Sequence, residues 1–341
     1  MKRILCISLL CCLLLSGCTN PAPQQNLKQY SATFLELFDT VTTVVGKAES
    51  EAAFQEKAQS VKEELERYHR LFDIYNDYEG LNNLKTVNDA AGFAPVPVDP
   101  ALIQLLLDCK DYFTATGGKV NVAMGGVLQL WHEARSDSTD DPLNAYLPDP
   151  DSLAVKAEHS DFDCVAIDVE NSTVHITDPR LRLDVGAIAK GWAAQRVAET
   201  APKGLLISVG GNVCATGPKD DSGTPWVVGI QNPDGGDYLH TIYVKSGCVV
   251  TSGDYQRYFV VDGKPYHHII DPATLQPGKL WRSVTIVCED SGLADALSTA
   301  LFLMSRSEGQ QLLDRYQAKA MWVDPEGNRF YSPGFEQLIK T

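Results

Sequence analysis

Asp295 and Thr299 stand four residues apart in Gly292-Leu-Ala-Asp-Ala-Leu-Ser-Thr-Ala-Leu-Phe302, an otherwise apolar helical run. Residues so spaced share a helix face. A carboxylate beside a hydroxyl offers two oxygens to a hard cation such as Mg²⁺, which takes few protein ligands when phosphate supplies others. A buried Asp capped by a Thr would show the same spacing. A second chemical stretch is Asp184-Val-Gly-Ala-Ile-Ala-Lys-Gly-Trp192, where an apolar strand with Leu181 and Leu183 gives way to glycine and then to a helix. The first turn of a helix carries unpaired N–H groups and about half a positive charge, which suits a phosphate. Lys190 adds a full charge, Gly186 and Gly191 permit close approach, and Asp184 can accept from the helix amides. The same residues also read as a strand-to-helix turn capped by Asp184.

Three further stretches offer polar groups. Leu205-Leu-Ile-Ser-Val-Gly-Gly-Asn212 is an apolar strand entering a paired-glycine turn, and Ser252-Gly-Asp-Tyr-Gln-Arg-Tyr258 follows another strand. In Tyr266-His-His-Ile-Ile-Asp-Pro272, adjacent histidines on a strand face opposite sides, so only one of His267 and His268 enters a given pocket. Spacing alone leaves either of them structural or catalytic. Neither G-x-G-x-x-G nor G-x-x-x-x-G-K-[ST] occurs, which argues against a nicotinamide or P-loop enzyme.

The elements that must position these groups are legible in outline. Phe34 to Val45 reads as one strand, rich in aromatic and β-branched residues. Phe54, Ala58, Val61, Leu65 and Tyr68 recur at helical spacing, predicting a helix over Glu51 to Phe72. Leu71 to Asn76 and Leu81 to Leu84 read as a polar, aromatic loop that either lines a site or serves as a solvated connector. A second helix is expected from about Ala101 to Thr116, then Val120-Asn-Val-Ala-Met-Gly-Gly126 and a helical stretch ending at Trp131. Ser136 to Asp151 reads as a surface insertion rich in Asp, Ser and Pro. Cys164 to Val169, Val174 to Thr177 and Leu181 to Leu183 predict a three-stranded meander leading into the Asp184 stretch. A helix from Ala187 to about Thr200 follows, with strands at Trp226 to Ile230, His240 to Val244 and Cys248 to Thr251.

The chain of 341 residues opens with Lys2, Arg3 and an apolar run from Ile4 to Leu15, closed by Leu15-Ser16-Gly17-Cys18. That run is too short to span a bilayer, and small residues before a cysteine fit cleavage of a lipoprotein signal. Residues 1–17 are therefore expected as a signal peptide, with Cys18 lipidated, 18–30 as a flexible tether, and 31–341 as one domain. The formal charge of −15 becomes −17 when Lys2 and Arg3 leave, which excludes nonspecific nucleic-acid binding and electrostatic adhesion to anionic lipid. Attachment would rest on the lipid, at the extracytoplasmic face of a bacterial membrane. Cys109, Cys164, Cys214, Cys248 and Cys288 remain in the mature chain, odd in number and without C-x-x-C, and read as buried structural thiols. In an oxidising medium one pair could still close.

Taken together, Asp184-Val-Gly-Ala-Ile-Ala-Lys-Gly-Trp192, Ser208-Val-Gly-Gly-Asn212, Thr251-Ser-Gly-Asp-Tyr-Gln-Arg-Tyr258, His267-His-Ile-Ile-Asp-Pro272 and Leu293-Ala-Asp-Ala-Leu-Ser-Thr-Ala-Leu301 resemble the ApbE-type FAD:protein FMN transferases, in that family's order. The resemblance spans most of the mature chain. It implies a single α+β domain with mixed or antiparallel sheets and flanking helices, and a cleft for FAD and Mg²⁺ between its halves. It further implies transfer of FMN from FAD to a Thr or Ser hydroxyl of a partner protein, with AMP released. By the family pattern Asp295 and Thr299 hold the metal with the carbonyl of Ala187, and Asp184 and Lys190 contact FAD. Ser252, Gly253, Ile270 and Asp271 lie along the same molecule. His268 matches the family position for a catalytic or cofactor-positioning group, with Asp295 as the other candidate base.

The chain departs from the usual pattern at Val120-Asn121-Val122-Ala123-Met124, where Asn121 replaces an acidic residue common in the family. Met124, Gly125 and Tyr75 are placed near the cofactor. Acceptors in the family carry D-x-x-[ST]-[GAST]-[AS]-[ST]; here Asp295-Ala-Leu-Ser-Thr-Ala-Leu301 ends in a residue without a hydroxyl, so the expected acceptor is another protein, an extracytoplasmic redox subunit or flavoprotein. Two other readings stand beside transfer: a lipid-anchored FAD-binding or carrier protein, and an Mg²⁺-dependent FAD pyrophosphatase giving FMN and AMP.

Overall fold

The structure is a computed structural model and describes residues 27–341. The signal peptide and Cys18 lie outside the described residues, as does the tether up to residue 26. The first strand, β1 (Lys28–Leu37), already takes the last residues assigned to the tether. It does not run on through the expected single strand but turns back into β2 (Thr40–Ala48), with Leu37 opposite Thr40. Phe38 and Asp39 take positive φ of 53° and 49°, the two-residue turn whose twist matches an antiparallel hairpin. No glycine marks that turn, so β-rich composition hid it.

The helix α1 (Glu51–Phe72) is capped by Ser50, whose side chain accepts from the Ala53 amide, and buries Phe54, Ala58, Val61, Leu65 and Tyr68 as the spacing requires. Leu81 to Leu84 is less loop-like than expected, because Asn83 and Thr86 form a reciprocal capping box that starts α2 (Leu84–Asp89). After β3 (Val96–Pro97), Asp99 and Pro100 open α3 (Pro100–Ala115). The next helix, α4 (Gly125–Asp140), continues past Trp131 into the expected insertion as far as Asp140, since Ala134 and Ser138 extend its buried face by about two turns. The irregular part shrinks to the residues between α4 and α5 (Pro150–Ala157).

Strands β4 (Val165–Asp168) and β5 (Thr173–Ile176) pair as expected, but the third member of their sheet is β3. Leu181 to Leu183 does not join, because the buried Asn88 amide takes both the Leu183 N–H (2.7 Å) and the Leu183 carbonyl (2.9 Å). Those are the groups a strand needs for its ladder. The helix α6 (Ala189–Thr200) starts two residues later than the sequence suggested. The chain then runs through β6 (Leu205–Val209), β7 (Asn212–Ala215), β8 (Trp226–Ile230), β9 (His240–Val244), β10 (Gly247–Gly253), β11 (Tyr258–Val261), β12 (Lys264–His267), β13 (Ile270–Asp271), β14 (Gln276–Pro277) and β15 (Ser283–Cys288). It closes with α7 (Ser291–Phe302), α8 (Arg306–Leu313), β16 (Lys319–Val323) and β17 (Arg329–Tyr331).

Eight strands form one antiparallel sheet in the order β1-β2-β6-β7-β10-β15-β16-β17. One face, with Val44, Ile207, Val250 and Ile286, packs on α1, α6 and α7. The other face, with Ala215, Val249, Met321 and Val323, is covered by the β8–β9 ribbon through Trp226, Val228 and Ile242. Met124 at the N-cap of α4, with Val127 and Trp131 of that helix, forms a third core with Phe259 and Val261 of β11. The result is the α+β class with antiparallel sheets and flanking helices. The turn between β6 and β7 is two glycines, Gly210 and Gly211, at φ of 58° and 91°. A Cβ on Gly210 would stand 2.7 Å from Thr40 Oγ1. The paired glycines thus let two tight turns lie side by side at one end of the sheet.

Cys109, Cys214 and Cys248 are buried, Cys164 and Cys288 half-buried, and all five are free thiols. Cys248 and Cys288 face each other in register across β10 and β15 with their sulfurs 3.9 Å apart. No helix among the described residues is long and apolar enough to cross a membrane.

Candidate active site

A cleft of about 910 Å³ lies between the main sheet with α6 and α7 on one side and the α4–β11–β12 unit on the other. Its size is that of a site for a substantial small molecule. Its rim is built by the Phe38–Asp39 turn and by the loop Asp73 to Asn76. The loop is a fixed structure: Asp73 accepts from the Tyr75 and Asn76 amides, from Asn76 Nδ2 and from the Tyr78 hydroxyl. Burial works to raise the Asp73 carboxyl, but these donors outweigh it and hold the group below its ordinary value.

Asp295 is 4% exposed and is clamped through one oxygen. Its Oδ2 accepts from the Gly191 amide and from Asn212 Nδ2, both at 2.8 Å. Gly191 is the third residue of α6, so a side chain from α7 serves as the cap that α6 lacks locally; Ile188 at the cap position makes no side-chain bond. A Cβ on Gly191 would lie 2.3 Å from the Ser291 carbonyl oxygen and 2.5 Å from Asp295 Cβ. Glycine therefore sets how closely α6 and α7 approach. Burial raises the Asp295 carboxyl, opposed by Lys190, the Gly191 amide and Asn212. Its Oδ1 receives no hydrogen bond among the described residues, and Thr299, half-buried in the same cleft wall, donates none back to Asp295. The pairing of a Thr cap with a buried Asp is thus absent, leaving two oxygens of different chemistry on one face. No cluster of three or more His, Cys, Asp or Glu suited to a metal occurs among the described residues. A cation here would take carboxylate, hydroxyl and carbonyl oxygens, with Ala187 in the lining to supply the last.

Asp184 does not cap α6. Its Oδ1 accepts from the Gly186 amide at 2.8 Å, and Lys190 Nζ donates to the Gly186 carbonyl at 3.1 Å. The tight turn so formed places Asp184 and Lys190 on the same wall as Asp295. Burial raises the Asp184 carboxyl against the pull of the Gly186 amide, His132, Lys190 and Arg257.

The two histidines separate cleanly. The buried His267 spends both ring nitrogens on the scaffold: Nε2–H donates to the Gly278 carbonyl (2.7 Å), and Nδ1 accepts from the Ile269 amide (3.2 Å). His268 is open to the cleft, and its Nδ1 faces the Arg257 carbonyl at 3.2 Å. A carbonyl only accepts, so Nδ1 carries the proton and Nε2 keeps a free lone pair. Enclosure by the cleft, then Lys190, Arg257, His267 and Arg135, push the His268 imidazolium below its ordinary range. His268 is therefore neutral at pH 7, with its basic nitrogen unspent.

The ApbE family pattern matches this chain over residues 38–322, spanning every group just described. The chain belongs to the ApbE family. Over 278 residues it is 33% identical to an FAD:protein FMN transferase of Treponema pallidum, covering 76% of this chain and 75% of the relative. A Klebsiella pneumoniae protein of the same name is 30% identical over 254 residues, covering 70% and 76%. Among solved structures, the ApbE protein of Thermotoga maritima superposes with a TM-score of 0.81 at 30% identity, covering 92% of this chain and all of that one. The flavin transferase ApbE of Vibrio cholerae, at 21% identity, shares the fold with a TM-score of 0.75 over 92% of this chain and 99% of its own.

The ApbE cleft brings together Asp184, Ala187, Lys190, Ser252, Gly253, His268, Ile270, Asp295, Thr299, Met124 and Tyr75. Gly125 and Asp271 stand behind the lining. The Gly125 amide is spent on the Arg182 carbonyl (2.9 Å), and Asp271 is held by Lys119 Nζ at 2.9 and 3.1 Å. Asn121 lies in the cleft lining, but its side chain is spent on the scaffold: Nδ2 donates to the Ser160 carbonyl and Oδ1 accepts from the Ala123 amide. Sequence reasoning gave no role to Asn212, Phe38, His132, Arg135 and Arg257. Only Asn212 and Arg257 had a signal, since both fall inside quoted motifs; the other three belong to the hidden hairpin turn and to a helix face that reads as plain surface.

Proposed function

We propose that this ApbE protein transfers FMN from FAD to a Ser or Thr hydroxyl of an acceptor protein through a phosphodiester bond, releasing AMP, with Mg²⁺ held by Asp295, Thr299 and the Ala187 carbonyl. The observation that carries this reading is that one cleft presents an Asp295–Thr299 oxygen pair with a free carboxylate oxygen, a lysine, and the unspent Nε2 of His268. Bound Mg²⁺ supplies neutralisation of the negative charge that builds on the pyrophosphate. Asn212 and Gly191 orient the Asp295 carboxylate for that ion, and Lys190 adds a fixed positive charge for the phosphates. His268 Nε2 takes the proton from the attacking hydroxyl, whose oxygen bonds to the FMN-side phosphorus while the bond to the bridging oxygen breaks and AMP leaves. Asp295, with its carboxylate committed to the ion, would be the poorer base.

The lipobox at Cys18 supports an enzyme tethered by lipid to the extracytoplasmic face of a membrane, acting on a redox subunit or flavoprotein there. The test is to incubate the protein starting after Cys18 with FAD, Mg²⁺ and an acceptor domain bearing D-x-x-[ST]-[GAST]-[AS]-[ST], and to weigh the acceptor. A gain of one FMN phosphodiester, lost with EDTA or with Asp295→Ala, supports transfer. FMN and AMP with an unmodified acceptor mark a pyrophosphatase; intact bound FAD marks a carrier.

A further inference from the structure

Arg135 and Arg257 line the same cleft, and neither enters any ion pair among the described residues. They are the two arginines in the cleft lining, where Lys119 by contrast is held by Asp271 at 2.9 Å. Arg135, half-buried on α4, donates Nη2 to His132 Nδ1 at 2.9 Å, which fixes its direction without neutralising it. Arg257 reaches the Asp39 carbonyl at 3.2 Å, so the rim turn holds its guanidinium at the mouth. The acids and bases facing the pair are Asp39, Asp184, Tyr75, His132, Lys190 and His268; none of the carboxylates is within ion-pair distance.

Two uncompensated guanidiniums at a cleft mouth form a seat for an anion, and their planar forks suit a carboxylate. Resting on the transferase reading, the two substrates are FAD and a polypeptide. FAD carries its negative charge in one place, the pyrophosphate, and Lys190 with the Asp295 wall already addresses it. We infer that Arg135 and Arg257 form a recognition site for an acidic side chain of the acceptor polypeptide, next to His268, whose Nδ1 rests on the Arg257 carbonyl. Docking that carboxylate would bring the acceptor hydroxyl toward the free Nε2 by fixing one point of the chain beside it.

The experiment measures acceptor KM, FAD Kd and salt dependence for the wild type, Arg135→Gln, Arg257→Gln and Arg257→Lys, using an acceptor domain with its motif Asp intact or changed to Asn. Acceptor KM is expected to rise about tenfold in each Gln variant, with FAD Kd unchanged and partial rescue by Arg257→Lys. The acceptor Asp→Asn change should weaken the wild type and add little in the Gln variants, and salt should raise acceptor KM less in those variants. Loss of FAD affinity at unchanged acceptor KM assigns the pair to the nucleotide and overturns the inference, as does no change in either. A wild type that leaves every acceptor unmodified overturns the transferase reading and this inference with it; a working wild type with unchanged variants overturns the inference alone.

Discussion

Asn212 and Asp295 meet 83 residues apart in sequence, side-chain amide to carboxylate at 2.8 Å, with both groups buried. That bond and the Gly191 amide fix which carboxylate oxygen stays free. Asn212→Ala removes one of two donors to a charged acceptor, a loss of about 1.5–3 kcal/mol for such bonds. The expected outcome is an increase of roughly tenfold or more in the Mg²⁺ concentration for half-maximal FAD turnover, with FAD KM little changed. A Mg²⁺ titration checks it; an unchanged midpoint would show that Asn212 only fills space.

Gly191→Ala sets two effects against each other. Alanine gains up to about 1 kcal/mol of helix propensity, whereas its Cβ would lie 2.3 Å from a backbone carbonyl of α7 that cannot swing away. Overpacking of this kind costs about 1–3 kcal/mol, so net destabilisation is expected, together with weaker Mg²⁺ binding as α7 shifts. Urea unfolding measures the first, and a stabilised variant would mean that α6 and α7 have slack.

His268 is neutral well below the ordinary histidine range. If it is the base, turnover should show no acid limb near 6.5, the limb falling at lower pH instead. His268→Ala should lower kcat by about 10²–10⁴-fold and leave FAD Kd near its original value. A kcat profile with an unshifted limb at 6.5 in both proteins would place the base elsewhere.

Burial also lowers His267, opposed by the Gly278 carbonyl and Asp254. Protonating its Nδ1 would set an N–H against the Ile269 amide that now donates to it. Because the folded value lies below that of the unfolded chain, the contribution is complete above about 6.5 and is lost as pH falls from there toward the folded value. Melting temperature should therefore decline on acidification from pH 7 to 5, and His267→Phe, unable to titrate, should decline less. Parallel curves for the two proteins would assign the acid sensitivity to other groups.

The helices were legible where apolar residues keep a 3.6 period and caps are local, as at Ser50 for α1. The site helix α7 was also legible, because Asp295 and Thr299 break an apolar run at one face. What escaped depended on partners distant in sequence. Leu181 to Leu183 has strand composition, but Asn88 takes its backbone groups. The Phe38–Asp39 turn carries no glycine, so its rim residues stayed hidden. Asp184 looked like the cap of α6, while the true cap arrives from α7, and no local pattern reports that. Spacing left His267 and His268 equivalent and the family pattern favoured His268; the physical difference between them lies in which ring nitrogens the backbone consumes, and that depends on Gly278 and Arg257, which spacing does not report.

The capping of α6 by Asp295 bears on how this lineage can lose its chemistry. A descendant that abandoned catalysis and merely carried flavin would still need a carboxylate at 295 to hold two helices together, so selection for folding alone would preserve it. Retention of Asp295 in a relative is then no testimony to activity. The residues free to drift first are Thr299 and His268, whose functional atoms support nothing else in the described structure, and it is their presence that distinguishes a working enzyme from an inherited shell.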